Sequence, residues 1–358
     1  MLKKAKRVSN CAGIALVTAA LLSACGNGNE PAGVGTNESS DLETTDITLY
    51  GVVDTQVSAQ QIVADKMGFF EDEGLNVTNQ IVQSGPDIGP LIASGDAQAS
   101  FETTITNITL KASNVDNVIV APMANISGTQ AVIAHPDFEV GSAKDLEGAT
   151  IGMVQGAGVT IALQNMADEL GVNLDTVNFI NMSPTDQIAA LDNGNIDLMA
   201  AWEPWITTGV EQGATFLFSG NVSELPGAEG EVDWMQYYST FQVTEEFLEE
   251  NPNTVKALLR ALLRATEYIN EDREGALDIM DEAIQHLPRE QIAEIMERNE
   301  YSMDVTEDLK EGSDVIGEHL LNMDSINQQP EFEQYTNFSL LEEVLAEYGK
   351  PTRTDTSL

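Results

Sequence analysis

Residues 150–202 read TIGMVQGAGVTIALQNMADELGVNLDTVNFINMSPTDQIAALDNGNIDLMAAW, and this stretch decides the fold class. Strand-like and helix-like segments alternate along it, at 150–154, 160–170, 177–180, 183–193 and 197–202. Ser183 and Pro184 predict the start of the second helix, because serine is a favoured N-cap and proline a favoured first helical residue. This alternation is typical of an α/β sheet with mainly parallel strands flanked by helices.

The same order of elements occurs earlier in the chain. Residues 91–100, LIASGDAQAS, and residues 190–199, ALDNGNIDLM, each read as a helix end, a glycine turn and a buried strand. The sequence therefore predicts two topologically similar lobes. The 358 residues, 42% of them hydrophobic, are sufficient for two cores. Beyond residue 220, a strand near 235–243 and a helix beginning at Asn251-Pro252 lead into four further predicted helices.

The N-terminus predicts export. Four basic residues within the first seven precede an apolar run, 11–22, that is too short to span about 30 Å of hydrocarbon. The run ends in Leu22-Ser23-Ala24-Cys25, which resembles the lipobox of bacterial lipoproteins. We expect residues 1–24 to be a signal peptide, Cys25 to be lipidated and 25–45 to be a flexible tether. The protein would then lie on the extracytoplasmic face of a bacterial membrane.

The charge balance excludes nucleic acid as a partner. Lys and Arg total 16 against 58 Asp and Glu, a net charge of −42, and no basic cluster follows the first seven residues. Loss of residues 1–24 would leave 12 basic and 58 acidic residues, or −46. Because concentrated salt screens such self-repulsion, the composition favours a salt-loving host.

The chemistry-bearing residues predict no metal and no cofactor. Both cysteines, Cys11 and Cys25, lie near the N-terminus, and neither an HExxH nor a GxSxG motif occurs. His135, His286 and His319 are widely scattered, and each is interpreted as a surface or packing residue.

The predicted strand ends locate a candidate ligand site, because open α/β sheets bind ligands beyond the carboxyl ends of their strands. The candidate ligand-binding residues are Asp54, Gln56, Ser84, Gly85, Phe101, Glu102, Thr103, Asn125, Gly156, Gly158, Thr160, Trp202 and Glu203.

Three features of that set indicate how a ligand could be bound. The glycine-rich turn at 156–160 opens a helix, so its N–H groups and the helix dipole could hold an anion; a plain tight turn is the alternative. Asp54, Glu102 and Glu203 offer carboxylates to a cation. Trp202 either closes over a ligand or packs between helices.

Several short strings in order resemble periplasmic substrate-binding proteins of the nitrate/sulfonate/taurine class of ABC importers. They are MGFFEDEGLNV at 67–77, SGP at 84–86, AKDLEGATIG at 143–152 and WEP at 202–204, and the resemblance covers 46–265. It implies a two-lobed type II periplasmic binding protein with one ligand in the cleft. Lobe 1 would comprise 46–130 and 239–358, lobe 2 would comprise 131–238, and hinges would lie near 131–134 and 238–241. The family usually has a small or hydroxyl residue near Phe101-Glu102, so Glu102 departs from its pattern and argues against nitrate.

The resemblance implies a monomeric lipoprotein that delivers a small polar solute to a permease and its ATPase. With acids on one side and a helix N-terminus on the other, a taurine-like amino-sulfonate zwitterion is the expected ligand. A thiamine-precursor pyrimidine or another small amine is the alternative ligand. An enzyme related to thiamine-pyrimidine biosynthesis and a sensor lipoprotein are the alternative functions; the first is disfavoured because residues 26–358 contain no cysteine.

Overall fold

The structure is a computed structural model and describes residues 42–82 and 85–350. The described residues form these strands: β1 (Asp46–Val52), β2 (Asn76–Val82), β3 (Ala99–Thr103), β4 (Asn117–Asn125), β5 (Gln130–Ala134), β6 (Thr150–Met153), β7 (Asn178–Asn181), β8 (Leu198–Trp202), β9 (Thr215–Ser219), β10 (Val222–Ser223), β11 (Gly230–Glu231), β12 (Tyr238–Thr244) and β13 (Glu300–Tyr301). The helices are α1 (Ala59–Lys66), α2 (Phe69–Asp72), α3 (Ile88–Ser94), α4 (Thr104–Ala112), α5 (Val159–Leu170), α6 (Pro184–Asp192), α7 (Trp205–Glu211), α8 (Glu245–Glu250), α9 (Pro252–Glu271), α10 (Arg273–Ala283), α11 (Arg289–Glu297), α12 (Glu307–Asn322) and α13 (Ser339–Glu347). Within the described ranges, no helix is both long and apolar enough to cross a membrane.

The strands assemble into two sheets. The first has the order β13-β4-β12-β3-β1-β2, and the second has the order β11-β10-β9-β5-β8-β6-β7. Each contains a parallel group produced by strand-helix-strand units, β2-β1-β3 in the first and β7-β6-β8 in the second. The predicted α/β class with two helix-flanked sheets is therefore confirmed.

Both sheets are mixed: besides its parallel group, each contains a central strand that runs against both of its neighbours. In the first sheet β12 runs antiparallel to both β3 and β4, and in the second β5 runs antiparallel to both β8 and β9. The physical reason is the path of the chain. Strands β5 and β12 each enter their sheet directly after a crossing from the other sheet, without the helical return that a parallel neighbour requires.

The chain crosses between the sheets twice, over 126–129 and again over 232–237. The segments expected as hinges, 131–134 and 238–241, lie inside β5 and β12, immediately after these crossings. Residues 131–134 are fully buried and paired on both sides, which an apolar run in a central strand requires. The hinges and the lobe boundaries remain predictions, and the division at 131 and 239 coincides with the change of sheet.

Local sequence accounts for the helices that support the sheets. Ser183 accepts a hydrogen bond from the backbone N–H of Asp186, and Pro184 is the first residue of α6, as expected. Helix α9 buries an apolar stripe that includes Val255, Leu258 and Leu262, each with no exposed surface. Burial of one such leucine stabilises the fold by about 1.5–3 kcal/mol. This helix packs against α1 and α2 and so fixes one flank of the first sheet.

Candidate functional site

Two acidic side chains meet at one edge of the first sheet. Strands β1 and β3 pair in parallel, with Leu49 opposite Ala99, so their carboxyl ends lie side by side. Asp54 follows β1, and Glu102 is the fourth residue of β3. They are close enough for the charge of Asp54 to contribute to raising the pKa of Glu102. The structure therefore brings these two predicted site residues together.

Glu102 has one carboxylate oxygen without a partner. The side chain is 3% exposed, and its Oε2 accepts hydrogen bonds from Thr106 Oγ1 at 2.8 Å and from the Thr103 N–H at 3.2 Å. Its Oε1 is buried and has no hydrogen-bond partner among the described residues. Burial, more than any other cause, raises the pKa of Glu102 to about 7. Since an unpaired buried acceptor is costly, a donor placed at Oε1 would be stabilising.

Gly85 keeps space beside this carboxylate. A Cβ atom on Gly85 would lie 2.9 Å from Glu102 Oε1, a separation that no side chain could occupy without displacing the carboxylate. The predicted site residue Gly85 is thus next to Glu102. Its predicted neighbour Ser84 lies outside the described residues.

Asp54 has a structural role in addition to its charge. Its Oδ1 accepts hydrogen bonds from the N–H groups of Gln56 at 3.0 Å and Val57 at 2.7 Å, which fixes the turn between β1 and α1. Burial raises the pKa of Asp54 to about 6 despite these hydrogen bonds, which lower it. The turn therefore positions a carboxylate that is largely ionised at neutral pH beside Glu102.

Tyr237 lies between the acidic pair and the start of α5. Burial and the charge of Glu102 raise the pKa of Tyr237, and the Thr103 side chain opposes that rise, so the Tyr237 hydroxyl lies near both residues. On the other side, a Cβ atom on Gly158 would lie 3.2 Å from Cε1 of the Tyr237 ring. The Tyr237 N–H donates to Ser127 Oγ at 2.9 Å, which ties the two crossing segments together. Sequence analysis placed Tyr237 inside the predicted strand 235–243 and missed its position beside the site, because Thr103 and Gly158 are distant from it in the chain.

The turn that opens α5 uses two of its own backbone N–H groups, since Ala157 donates to the carbonyl oxygen of Val154 and Thr160 to that of Ala157, each at 3.1 Å. Gly156 has a φ of 81°, in the region that favours glycine. Thr160 Oγ1 donates to the carbonyl oxygen of Ala157 at 2.6 Å and lies 2.9 Å from His319 Nε2. Because the hydroxyl hydrogen is already used, His319 Nε2 is the donor in that pair. The helix dipole favours an anion here, and both the anion-site and plain-turn interpretations remain open.

The carboxylate of Glu203 already has a cationic partner within the protein. Its Oε1 forms an ion pair with Arg298 Nη1 and accepts a hydrogen bond from Thr207 Oγ1, and its Oε2 accepts one from the Thr207 N–H. Burial raises the pKa of Glu203, and the charge of Arg298 opposes that shift. That Glu203 binds a ligand amine stays a prediction, and a ligand there would have to compete with Arg298 for the carboxylate. Arg298 lies 95 residues further along the chain, so no local sequence pattern indicated this ion pair.

Phe101 and Asn125 also differ from expectation. Phe101 is fully buried and stacks on Phe241 with ring centroids 4.9 Å apart, because this position of β3 points into the first core. Asn125 donates to Gln236 Oε1 at 2.9 Å and accepts from the N–H and Oγ of Ser127. Phe101 is therefore a core residue, and Asn125 stabilises the crossing between the sheets.

Three further predicted residues are Gln56, Trp202 and Cys25. Gln56 is buried and donates from Nε2 to the carbonyl oxygen of Glu203 at 3.1 Å. Trp202 is half-buried and packs against a small apolar cluster of the second sheet, together with Trp205. The lipidation site Cys25 lies outside the described residues. No group of three or more His, Cys, Asp and Glu side chains within 42–82 and 85–350 could hold a metal ion.

A family model described as "NMT1/THI5 like" matches residues 55–276, more than half of the chain. Among curated proteins, "Putative binding protein" of Brucella abortus (strain 2308) is 24% identical over 217 residues, which is 61% of this chain and 65% of that protein. "Putative aliphatic sulfonates-binding protein" of Bacillus subtilis (strain 168) is 22% identical over 245 residues, 67% of this chain and 70% of that protein. The chain thus spans less than two thirds of the Brucella relative.

Two solved structures are similar in fold. The periplasmic aliphatic sulphonate binding protein SsuA from Escherichia coli has a TM-score of 0.69 at 15% identity and covers 82% of this chain and 92% of its own. The desulfurization enzyme DSZB has a TM-score of 0.63 at 13% identity, with 85% and 100% covered. At these identities the similarity shows a shared fold, which binding proteins and an enzyme both use.

Proposed function

The chain belongs to the NMT1/THI5-like family, and from that premise we propose that it is the solute-binding component of an ABC importer. The family match and the sulfonate-binding relative support this proposal. The two-sheet fold shared with SsuA is compatible with it. The partners are a permease and its ATPase, and the protein delivers a small organic solute to them as a monomer.

The ligand that best fits the site is a taurine-like amino-sulfonate. The observation that carries this proposal is the buried, unpartnered Oε1 of Glu102 beside Asp54. A ligand ammonium would pair with that oxygen, and the sulfonate would lie toward the N–H groups of 156–160 on the other side of Tyr237. Glu203 is not included, because Arg298 already pairs with it.

Electrostatics favours a zwitterion over a simple anion. Two neighbouring carboxylates repel an anion that approaches without a cationic group. A charge-assisted hydrogen bond to Glu102 would instead contribute about 1.5–3 kcal/mol. Nitrate and unsubstituted alkanesulfonates therefore lack the interaction that this site offers.

A ligand panel tests the proposed function. The full chain is titrated by calorimetry with taurine, ethanesulfonate, nitrate and an aminopyrimidine, and the ligand is recovered afterwards. We expect taurine to bind most tightly and to be recovered unchanged. Release of sulfite or another product would make the protein an enzyme, a function that the shared DSZB fold permits.

A thiamine-precursor pyrimidine is the second candidate ligand, and one observation favours it. A carboxyl group with a pKa of about 7 can donate a hydrogen bond as well as accept one. An aminopyrimidine carries an acceptor ring nitrogen next to a donor amino group, and such a carboxyl group can form a hydrogen bond with each. Tighter binding of the aminopyrimidine than of taurine in the panel would favour this ligand.

The proposed location is the outer face of a bacterial membrane, through a lipid on Cys25. The lipobox-like residues 22–25 support it. Mass spectrometry of the membrane-bound protein should find Cys25 as the modified first residue. An unmodified Cys25 would remove the anchor from the proposal, and the absence of neighbouring permease and ATPase genes would favour a sensor.

A further inference from the structure

The ion pair between Glu203 and Arg298 joins the two sheets. Glu203 directly follows β8 of the second sheet, whereas Arg298 lies two residues before β13 of the first. Asn299 Nδ2 and the Tyr301 hydroxyl both donate to the Thr55 carbonyl oxygen, at 3.4 and 2.7 Å. These bonds anchor the segment that carries Arg298 to the first sheet.

The acidic partner of the pair is buried, and its carboxylate is fully hydrogen-bonded. The Glu203 side chain has no exposed surface, and Arg298 retains 29%. Both carboxylate oxygens are satisfied, since Thr207 supplies its N–H and its hydroxyl. The Arg298 guanidinium also lies 6.0 Å from the centre of the Phe216 ring in β9. Loss of either partner would leave the charge of the other without a counter-charge.

Two weaker bridges lie on the same side of the sheets. Gln56 Nε2, from the loop after β1, donates to the Glu203 carbonyl oxygen at 3.1 Å. Gln291 of α11 donates to Glu211 of α7. With the Glu203–Arg298 pair, these contacts form one set of polar bonds across the two sheets, which we call the latch.

We propose that the latch holds the two lobes closed over the ligand, and that Arg298 thereby sets the affinity for every ligand without contacting it. The inference rests on the proposed function, because closure matters only if a ligand lies between the lobes. Of the latch residues, Arg298 and Gln291 lie beyond the family-matched residues 55–276, whereas Gln56, Glu203 and Glu211 lie within them.

The mechanism predicts a uniform effect on ligands. If only the closed arrangement binds tightly, apparent affinity falls in proportion to the closed fraction, whatever the ligand. A residue that contacts the ligand would instead change the ratio between two ligands. Arg298 is therefore a positioning residue, and the ratio of taurine to ethanesulfonate affinity distinguishes the two roles.

The test compares Arg298→Met with Arg289→Met. Arg289 begins α11, and its ion pairs with Glu274 and Asp278 stay within the neighbouring helix α10. We expect Arg298→Met to weaken taurine and ethanesulfonate by the same factor, at least about tenfold. Arg289→Met should bind as the parent does. Arg298→Lys keeps the charge without the planar fork and should fall between.

A distance measurement tests closure directly, without any ligand. Spin labels are placed on Glu71→Cys in α2 and Asp175→Cys before β7, two exposed positions next to different sheets, in a full chain whose two native cysteines are serine. The ligand-free label distance should be longer in Arg298→Met than in the parent. Equal distances, or weaker binding of taurine alone, would overturn the latch. Failure of the parent to bind any probe would instead refute the proposed function, while the distances would still test the latch.

Discussion

At the scale of single residues, the site is defined by Glu102, whose carboxylate is costly to ionise when buried but is stabilised by a cationic partner. A rise in pKa from 4.5 to about 7 corresponds to roughly 3 kcal/mol against the charged form. One charge-assisted hydrogen bond returns about 1.5–3 kcal/mol, so a ligand ammonium offsets most of that cost. Sequence analysis located Glu102 and Asp54 because both follow from strand ends. It could not find Tyr237 or Arg298, whose partners are distant in the chain.

The raised pKa values predict how stability depends on pH. Glu102 and Asp54 bind protons more tightly when folded, so they reduce the free energy of unfolding as pH rises from about 4 to about 7. Glu102→Gln removes the contribution of Glu102 to this pH dependence. Urea unfolding at several pH values should show the variant gaining about 2–3 kcal/mol relative to the parent across this range.

The matched control for this experiment is Glu249→Gln, which makes the same chemical change at an exposed position of α8. Its curve should run parallel to that of the parent. If Glu102→Gln also runs parallel, Glu102 titrates normally and the buried-acid account is wrong.

At the scale of elements, the parallel strand-helix-strand units were predictable and the crossing strands were not. Repeated glycine turns at Gly95 and Gly194 marked both parallel groups, since each takes a positive φ after a helix. The apolar run 131–134 is so short that its sequence does not distinguish a hinge segment from a strand. Only its antiparallel pairing with β8 and β9 makes it central to a sheet.

The start of α5 gives a prediction at this scale. A Cβ atom on Gly158 would lie 3.0 Å from Met235 Cε and 3.2 Å from Tyr237 Cε1, so in Gly158→Ala the Met235 methyl group and the Tyr237 ring must each move by a few tenths of an ångström. We expect taurine and ethanesulfonate both to bind several-fold more weakly, because both place a sulfonate there. Calorimetry measures the effect. Gly141→Ala, at an exposed loop with ordinary contact distance, is the control, and unchanged binding by Gly158→Ala would remove α5 from the site.

At the scale of the whole molecule, charge dominates. The 58 acidic residues greatly outnumber the 16 basic ones. Ion pairs between exposed side chains, such as Lys66–Glu282, contribute little to stability. Most acidic side chains therefore cannot have a basic partner of their own, and the composition alone was sufficient to predict this excess of negative charge.

Stability should consequently increase with salt. Screening shortens the Debye length to about 3 Å at 1 M, which weakens repulsion between carboxylates that are farther apart. The melting temperature, measured from about 0.1 M to about 2 M KCl, should rise steadily. A flat or falling curve would remove the basis for a salt-loving host.

Calorimetry on Glu102→Gln tests whether Glu102 binds the positive end of a zwitterionic ligand. At about pH 8, above the pKa of Glu102, the parent should bind taurine more tightly than ethanesulfonate. The variant should lose at least about tenfold in taurine affinity and bind ethanesulfonate equally well or better. If the variant binds taurine as the parent does, or the parent prefers ethanesulfonate, this role of Glu102 is contradicted.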